Sequence, residues 1–301
     1  MLKIAFHPIY THPLPAGHRF PMEKYDLLPM QLKHEGTCTE ENFFTPGMPH
    51  LKHVVAVHDA HYVSDLKKLA VDKKMARRIG FPLSDQLIER ELILTQGTIK
   101  AVDYALQNGI AMNIAGGTHH AFSNKGEAFC LLNDQAIGAR YVQNQFGLKK
   151  ILMVDLDVHQ GNGTAEIFQN DDSVFTFSMH GASNYPFVKE KSDLDIELAN
   201  DCDDATYLNI LKQTLPDLLN KVQPDFVFYL SGVDVIASDK LGKLGMTLEG
   251  CKERDRFVLQ MCFDHQIPMM VSMGGGYSPE IKTIVDAHAN TYRLAQEIFF
   301  G

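Results

Sequence analysis

The stretch 151–164 constrains the fold more than any other part of the chain, because an apolar run passes within a few residues into a polar, glycine-rich one. Its first four residues are all apolar, which is typical of a central parallel strand covered on both faces. Side chains alternate along a strand, so Asp155, Asp157 and His159 are predicted to project to one side. Open α/β sheets bind ligands at the carboxyl ends of their strands, and these oxygen and nitrogen donors suit a divalent metal.

Strand and helix patterns alternate along almost the whole chain, which predicts right-handed βαβ units. Strands are predicted at 2–6, 54–57, 110–115, 151–154, 174–179, 226–230 and 269–273. Helices are predicted at 22–34, 58–70, 85–107, 133–146, 204–222, 247–265 and 279–299, with Ser84 capping the third. The predicted fold is a three-layer α/β/α sandwich with a central, mostly parallel sheet and an active site at the carboxyl ends of the strands.

Size and charge narrow the class of protein. The 301 residues are 45% hydrophobic, which suits a single domain spanning residues 1–301. The net charge of -9 and the lack of a long Lys/Arg run predict no direct nucleic-acid partner, and the basic cluster at 73–78 is interpreted as a solvated helix end. No run resembles a signal peptide or a membrane span, which predicts a cytoplasmic, intracellular protein without a membrane partner. Five scattered cysteines predict free thiols.

Three residues form a candidate metal site. Asp157 and His159 follow one predicted strand, and Asp234 follows another. Three protein ligands with an open position are typical of a catalytic metal site, whereas a structural zinc is usually closed by four ligands. Taken together, the three residues therefore predict a catalytic metal site.

Two adjacent histidines follow a glycine pair at a further strand end. His119 and His120 are candidates for general base and general acid, because imidazole titrates nearest to neutral pH. Asp155 is predicted to accept the N–H of one of these histidines and to fix its tautomer. Asn162 is predicted to do the same for the other as a neutral partner. This difference in charge predicts different pKa values for the two rings.

A glycine run precedes a tyrosine at the last strand end. The glycines at 274–276 allow the backbone to approach the site, and Tyr277 is predicted to donate its O–H to a developing oxyanion. A carbonyl that a metal and a phenol polarise together, and that a metal-activated water attacks, indicates amide or ester hydrolysis.

Together these residues resemble the zinc-dependent histone deacetylase family, which has the arginase/deacetylase fold. The resemblance covers essentially the whole chain, through matching segments at 17–21, 116–120, 129–130, 155–163, 232–234 and 274–277. Gln160 after the predicted ligand, the short chain and the segment 239–242 resemble the class IV branch and its bacterial relatives in particular. The resemblance implies Zn²⁺, with Fe²⁺ as the alternative, on the three predicted ligands.

The resemblance also implies a channel and a second ion. Phe129 and Tyr185 would grip the methylene stem of an acyl-lysine, with Ala128 and Gly275 beside them. Arg19 resembles an interior arginine near the route by which acetate leaves. A monovalent cation, usually K⁺ in the family, would lie on a set of residues that includes two of the zinc ligands: Asp155, Asp157, His159, Ser178 and Met179.

Two positions depart from the family pattern. Ala128 stands where many members have glycine, so an added methyl group is predicted to narrow the channel. Asn162 stands where some classes have Asp, which should alter the pKa of His120. Neither departure removes a predicted catalytic group.

The predicted function is metal-dependent removal of acetyl or longer acyl groups from the amine of lysine side chains, in a peptide or protein, or from acylated small amines. Two alternatives remain open. An arginase-like ureohydrolase with two Mn²⁺ would need further carboxylates near Asp234, and a non-catalytic acyl-lysine reader should have lost Tyr277 or a ligand. The sequence predicts neither acyl chain length nor oligomeric state.

Overall fold

The sheet has eight strands, and a computed structural model describes it together with all other residues, 1–301. The strands are β1 (Lys3–Ala5), β2 (Phe43–Phe44), β3 (Ile110–Asn113), β4 (Ile151–Asp155), β5 (Val174–Gly181), β6 (Leu194–Leu198), β7 (Phe226–Ser231) and β8 (Met269–Met273). Their order in the sheet is β2-β1-β3-β8-β7-β4-β5-β6, and every neighbouring pair is parallel. The predicted α/β class with a central parallel sheet is confirmed.

Ten helices accompany the strands. They are α1 (Lys24–His34), α2 (Leu51–Val54), α3 (Ala60–Lys67), α4 (Lys73–Ile79), α5 (Asp85–Asn108), α6 (Asp134–Phe146), α7 (Asn162–Phe168), α8 (Asp204–Val222), α9 (Leu248–Asp264) and α10 (Ile281–Phe300). Local chemistry explains their ends. In α5 the Ser84 hydroxyl accepts the Leu87 N–H at 3.1 Å, and Gly109 ends the helix at a φ of 85°. No helix combines the length and the apolar character that crossing a membrane requires.

The core lies on both faces of the sheet. In β4, Ile151 and Met153 belong to one buried apolar cluster with residues of α5 and α6, whereas Leu152 and Val154 belong to the larger cluster with residues of α8 to α10. All four side chains are buried. An apolar residue at every position is what a central strand needs when helices cover both of its faces.

The four strands that end in glycines or polar residues are β3, β8, β7 and β4, and they are consecutive in the sheet. Because all strands are parallel, their carboxyl ends meet at the same edge. The β4 strand ends at Asp155, so Asp157 and His159 lie on the following loop rather than on an extended strand as predicted. Hydrogen bonds from backbone N–H groups to side-chain carboxylates shape this loop. The Asp157 N–H donates to Asp155 Oδ1 at 3.1 Å, and the His159 N–H donates to Asp157 Oδ1 at 3.0 Å.

Several predicted elements need correction. The strand predicted at 54–57 is wrong, because α2 occupies 51–54 and packs on α6, while Val55 is exposed. Its β-branched residues fit a strand, but the segment pairs with no strand of the sheet. Residues 73–78 belong to a separate helix, α4, that Asp72 caps. Two strands were missed: β2 has only two residues, and β6 is an edge strand with mostly part-exposed side chains.

Candidate active site

A cavity of about 770 Å³ opens at the carboxyl ends of the central strands. Most of the predicted site residues line it, namely His119, His120, Ala128, Phe129, Asp157, His159, Asn162, Tyr185, Gly275 and Tyr277. Four others lie behind this lining, namely Asp155, Ser178, Met179 and Asp234. The loops after β3, β4, β5 and β8 therefore converge on one cavity.

The predicted metal ligands lie together. Ligand atoms of Asp157, His159 and Asp234 are all within 4.8 Å of one another, and all three side chains are buried. His159 Nδ1 is 3.0 Å from Asp157 Oδ1 and 3.2 Å from Asp234 Oδ2. Backbone N–H groups hold the carboxylates, because Gly275 donates to Asp157 Oδ2 at 2.7 Å and Val158 donates to Asp234 Oδ1 at 3.0 Å.

This group fits a divalent metal. The Asp234 Oδ2 atom is fully buried and makes no hydrogen bond, because the nearby His159 Nδ1 bonds to Asp157 Oδ1 instead, and such burial is costly for a carboxylate. Burial, followed by the neighbouring Asp157, raises the pKa of Asp234 to about 7. A cation between the carboxylates of Asp157 and Asp234 would bind the unpartnered oxygen and favour the ionised form of Asp234. One imidazole and two carboxylates are a donor set that Zn²⁺ and Fe²⁺ accept.

The two adjacent histidines contact different partners. His119 Nδ1 lies 2.7 Å from Asp155 Oδ2, and His120 Nδ1 lies 2.6 Å from Asn162 Oδ1. The ring centroids are 4.1 Å apart. Because each Nδ1 donates to an oxygen, each Nε2 is left free to exchange a proton.

The partners give the two rings opposite proton affinities. Burial disfavours the charged form of His119, but the Asp155 carboxylate outweighs it, so the pKa of His119 is raised. Burial, followed by the charges of His119 and His159, holds the pKa of His120 well below its ordinary value. A neutral partner, Asn162, does not restore it.

Asp239 supports the loop that carries Tyr277. Its Oδ2 accepts the Tyr277 N–H at 2.5 Å, and its Oδ1 accepts the N–H groups of Leu241 and Gly242 at 2.8 and 2.9 Å. Burial raises the pKa of the Tyr277 phenol well above its ordinary value, which keeps its O–H protonated. Position 275 requires a glycine, because a Cβ there would lie 1.8 Å from Asp234 Oδ2.

The channel wall beside the histidines has an unusual backbone. Ala128 and Phe129 have φ values of 47° and 68°, a left-handed region that favours glycine. Two backbone bonds from α4 hold them there, since the Ala128 N–H donates to Arg78 O at 2.8 Å and the Phe129 N–H to Ile79 O at 2.7 Å. A glycine at position 128 would adopt this backbone freely, whereas the alanine here adopts it with strain.

Glu127 is a site residue that the sequence did not reveal. Its Oε1 accepts from Asn162 Nδ2 at 2.8 Å and from the Tyr185 hydroxyl at 2.6 Å, and its side chain is buried. An ionised carboxylate only accepts hydrogen bonds, so Glu127 directs the NH₂ of Asn162 toward itself and the amide oxygen toward His120. The only sequence signal is a lone acid beside the Phe-Cys pair, which has no spacing relation to Asn162.

A buried lysine was also missed, and the interior position predicted for Arg19 is wrong. Lys24 is only 1% exposed, and its Nζ donates to Gly274 O at 3.1 Å. Burial lowers the pKa of Lys24 to about 8. Arg19 was predicted to be interior but is exposed, and its guanidinium lies 5.0 Å from the centroid of the Phe129 ring. The buried cations that line the cavity come instead from two helices, Lys24 from α1 and Arg90, which is 2% exposed, from α5.

The residues of the predicted cation site occupy two neighbouring strand ends. Asp155 on β4 pairs with Ser178 on β5 in the sheet register, and Met179 follows as a fully buried residue. The Ser178 hydroxyl lies 2.9 Å from His180 Nδ1. The K⁺ site itself stays a prediction.

Comparison with known proteins identifies the class to which this fold and site belong. Residues 18–292 match the histone deacetylase domain, so the chain belongs to the histone deacetylase domain family. A "probable deacetylase" of Archaeoglobus fulgidus is 29% identical over 297 residues, covering 92% of this chain and 81% of that protein.

Among individual proteins, an uncharacterized protein of Picosynechococcus sp. is 44% identical over 296 residues, covering 98% of this chain and 99% of its own. The crystal structure of an HDAC homolog from Aquifex aeolicus superimposes with a TM-score of 0.85 at 22% identity, covering 98% of this chain and 84% of that one. The predicted family is confirmed, and the relation to class IV stays a prediction.

Proposed function

We propose that the chain is a zinc-dependent deacylase that hydrolyses the amide bond of an acylated lysine side chain or a related acylated amine. The observation that carries this proposal is the convergence of three metal ligands and two histidines with free Nε2 atoms on one cavity. Membership of the family supports the same chemistry. Residues 1–301 would act as one catalytic domain.

The metal would occupy the Asp157, His159 and Asp234 group. Zn²⁺ there, or Fe²⁺ as the alternative, would supply a Lewis acid that lowers the pKa of a water molecule and polarises the acyl carbonyl. The surrounding N–H groups hold the carboxylates in place. We also propose K⁺ as a structural ion on Asp155, Asp157, His159, Ser178 and Met179.

The two histidines divide the proton transfers. His120 has the lowered pKa, so its Nε2 is neutral and takes the proton from the attacking water. His119 has the raised pKa, so its imidazolium stabilises the negative charge that develops and gives a proton to the leaving amine. Asp155 and Asn162 hold both rings with Nε2 toward the reacting atoms.

Tyr277 stabilises the oxyanion. Its phenol stays protonated because of burial, so it can donate a hydrogen bond to the oxygen of the tetrahedral intermediate. Phe129 and Tyr185 line the cavity and would enclose the methylene stem of the substrate lysine. Their apolar faces exclude water around the reacting amide.

The alternatives have less support. A dimanganese site needs more carboxylates, whereas the chain holds one group of three residues that could bind a metal, and Asp234 is followed by the buried apolar residues Val235 and Ile236. A non-catalytic reader would have no use for two oriented histidines and a buried phenol.

Hydrolysis assays test the proposal. The zinc-loaded protein should release the carboxylic acid and leave a free lysine side chain in peptides that carry a panel of acyl chain lengths, and acetylated polyamines complete the panel. Tyr277→Phe removes one O–H and should lower kcat by about 10²–10³-fold. The proposal fails if no acyl-lysine or acylpolyamine is hydrolysed and Tyr277→Phe behaves like the wild type.

A further inference from the structure

The mouth of the cavity carries an excess of cations on a protein whose net charge is -9. The cationic mouth consists of Arg19, Arg78, Lys125 and Lys243, which all line the cavity. Lys125 is partly buried and the other three are exposed, and none has a carboxylate oxygen within 4.0 Å of its charged nitrogens. Glu190 is the one exposed acid in the same lining.

Contacts with the channel walls hold these side chains near the opening. Arg19 lies over the ring of Phe129, and the Lys125 Nζ lies 3.8 Å from the centroid of the Phe122 ring. The Lys243 Nζ donates to the carbonyl oxygen of Ser183 at 3.2 Å. These contacts neutralise none of the charges, so the positive potential faces whatever enters the cavity.

Arg78 comes from a different direction. It lies near the end of α4, and its carbonyl accepts the N–H of Ala128 in the channel wall. Arg19 precedes α1, Lys125 follows β3 and Lys243 follows β7, so the four cations come from four parts of the chain. A helix face that merely keeps a protein soluble would not gather charge around one cavity.

We propose that the deacylase acts on acylated lysines in acidic polypeptide segments, where Asp or Glu residues flank the lysine. This inference rests on the proposed function and names its substrate class. Flanking carboxylates would meet unpaired cations, whereas a lysine-rich tail or a polyamine would bring further positive charge to them. Phe187 and Val188 also line the mouth, and they are 87% and 86% exposed, which gives a polypeptide chain an apolar surface that a small amine would not cover.

Matched peptides test the substrate class. Three acetyl-lysine peptides of equal length should carry acidic, neutral or basic residues at the same flanking positions, with acetylspermidine as a small cationic substrate. The expected kcat/KM is highest for the acidic peptide, about 10–100-fold above the basic one at low ionic strength, and the ratio should shrink as salt is added. Equal values, a preference for the basic peptide or faster hydrolysis of acetylspermidine would overturn the inference.

Charge-reversal variants locate the effect. The double variant Arg78→Glu/Lys243→Glu should lose the preference for the acidic peptide over the neutral one. Lys74→Glu is the matched control, because Lys74 is an exposed residue of α4 that does not line the cavity, and it should keep the wild-type ratio. An unchanged ratio in the double variant would refute the inference. Because each ratio compares two peptides on one enzyme, loss of folded protein does not imitate the expected result.

The neutral peptide separates the two proposals. If the enzyme hydrolyses the neutral peptide and shows no preference among the acidic, neutral and basic peptides, the deacylase function is supported and the proposed substrate class is refuted. If none of the four substrates is hydrolysed with any acyl group of the chain-length panel, both proposals are contradicted.

Discussion

Two adjacent histidines in the cavity have different surroundings, and the difference would allow one cavity to contain both the proposed base and the proposed acid. The His119 arm consists of His119 and the carboxylate of Asp155. The His120 arm consists of His120, the neutral amide of Asn162, and Glu127 behind that amide. The rings are 4.1 Å apart, yet the pKa of one is raised and that of the other is lowered.

The comparison shows that the pKa of each imidazole depends more on the charge of the side chain in direct contact with it than on a charge behind that side chain. Asp155 touches its histidine, and this direct carboxylate outweighs the cost of burying the imidazolium. Glu127 reaches His120 only through Asn162, so it fixes orientation without supplying a direct ion pair. A carboxylate therefore raises the pKa of the histidine in one arm, and a carboxylate orients the amide partner of the histidine in the other.

Removing each ring should give the largest effect. His120→Ala removes the proposed base and should lower kcat/KM by about 10²–10⁴-fold. His119→Ala should cost less, because the proposed base remains in place. Steady-state kinetics on an acetyl-lysine peptide check this order, and a larger loss of kcat/KM in His119→Ala than in His120→Ala would contradict the roles assigned to the two arms.

Changing the partner of His119 should move one limb of the pH profile. Asp155→Asn removes the carboxylate that raises the pKa of His119, so that pKa should fall. The acid form of His119 is then lost at lower pH, and the alkaline limb of kcat should move to lower pH. At neutral pH kcat/KM should fall about 10–100-fold, as for other residues that orient catalytic or metal-binding histidines.

The mirror variant sharpens this test. Asn162→Asp places a carboxylate beside His120 and should move the acidic limb to higher pH. The double variant Asn162→Asp/Glu127→Gln is the matched form, because a glutamine at position 127 would give the new carboxylate a hydrogen-bond donor. An alkaline limb that stays in place in Asp155→Asn, or an acidic limb that stays in place in the double variant, would show that the partners do not set the two pKa values.

The orientation of Asn162 gives a smaller effect. Glu127→Ala leaves the Asn162 NH₂ without its acceptor, which should lower the free energy of unfolding by about 1–3 kcal/mol and reduce kcat about tenfold. Glu127→Gln keeps an acceptor oxygen and should recover most of the activity. Tyr185→Phe is the control, because it removes the other contact of Glu127 and leaves Asn162 bound. Equal kcat in Glu127→Ala and Tyr185→Phe would argue against orientation of Asn162 by Glu127.

The smallest effect concerns the wall beside the His120 arm. Ala128→Gly relieves a left-handed alanine but adds freedom to the unfolded chain, so the free energy of unfolding should change by less than about 1 kcal/mol. Loss of the methyl group should change KM for long acyl chains more than kcat. A large loss of stability in chemical denaturation would contradict the strain assigned to Ala128.

The fold was largely predictable because its signals are local. Four strands run into glycines or polar residues, Ser84 caps α5 and Gly109 ends it, and the β8 strand begins and ends where the sequence predicted. These features depend on neighbours in sequence, which periodicity and turn chemistry reveal. The valines at 54–57 misled the prediction because a strand also needs a partner in space.

Only the part of the candidate site whose residue types indicate their chemistry was predictable from the sequence. Asp157, His159 and Asp234 were recognisable as candidate ligands. The contacts of Glu127 with Asn162 and of Asp239 with Tyr277 instead span 35 and 38 residues of sequence. No spacing rule connects such pairs. The exposure of Arg19 likewise follows from how its loop lies on Phe129, which residue type does not determine.

Metal titration tests the central claim, a deacylase with one zinc, most directly. The metal-stripped protein should have no activity on an acetyl-lysine peptide, and stepwise addition of Zn²⁺ should restore hydrolysis to a plateau at about one ion per chain, as expected for three ligands with an open position. Asp234→Asn in the same titration should bind zinc more weakly. Full activity in the stripped protein, or a plateau that requires two ions per chain, would contradict the account.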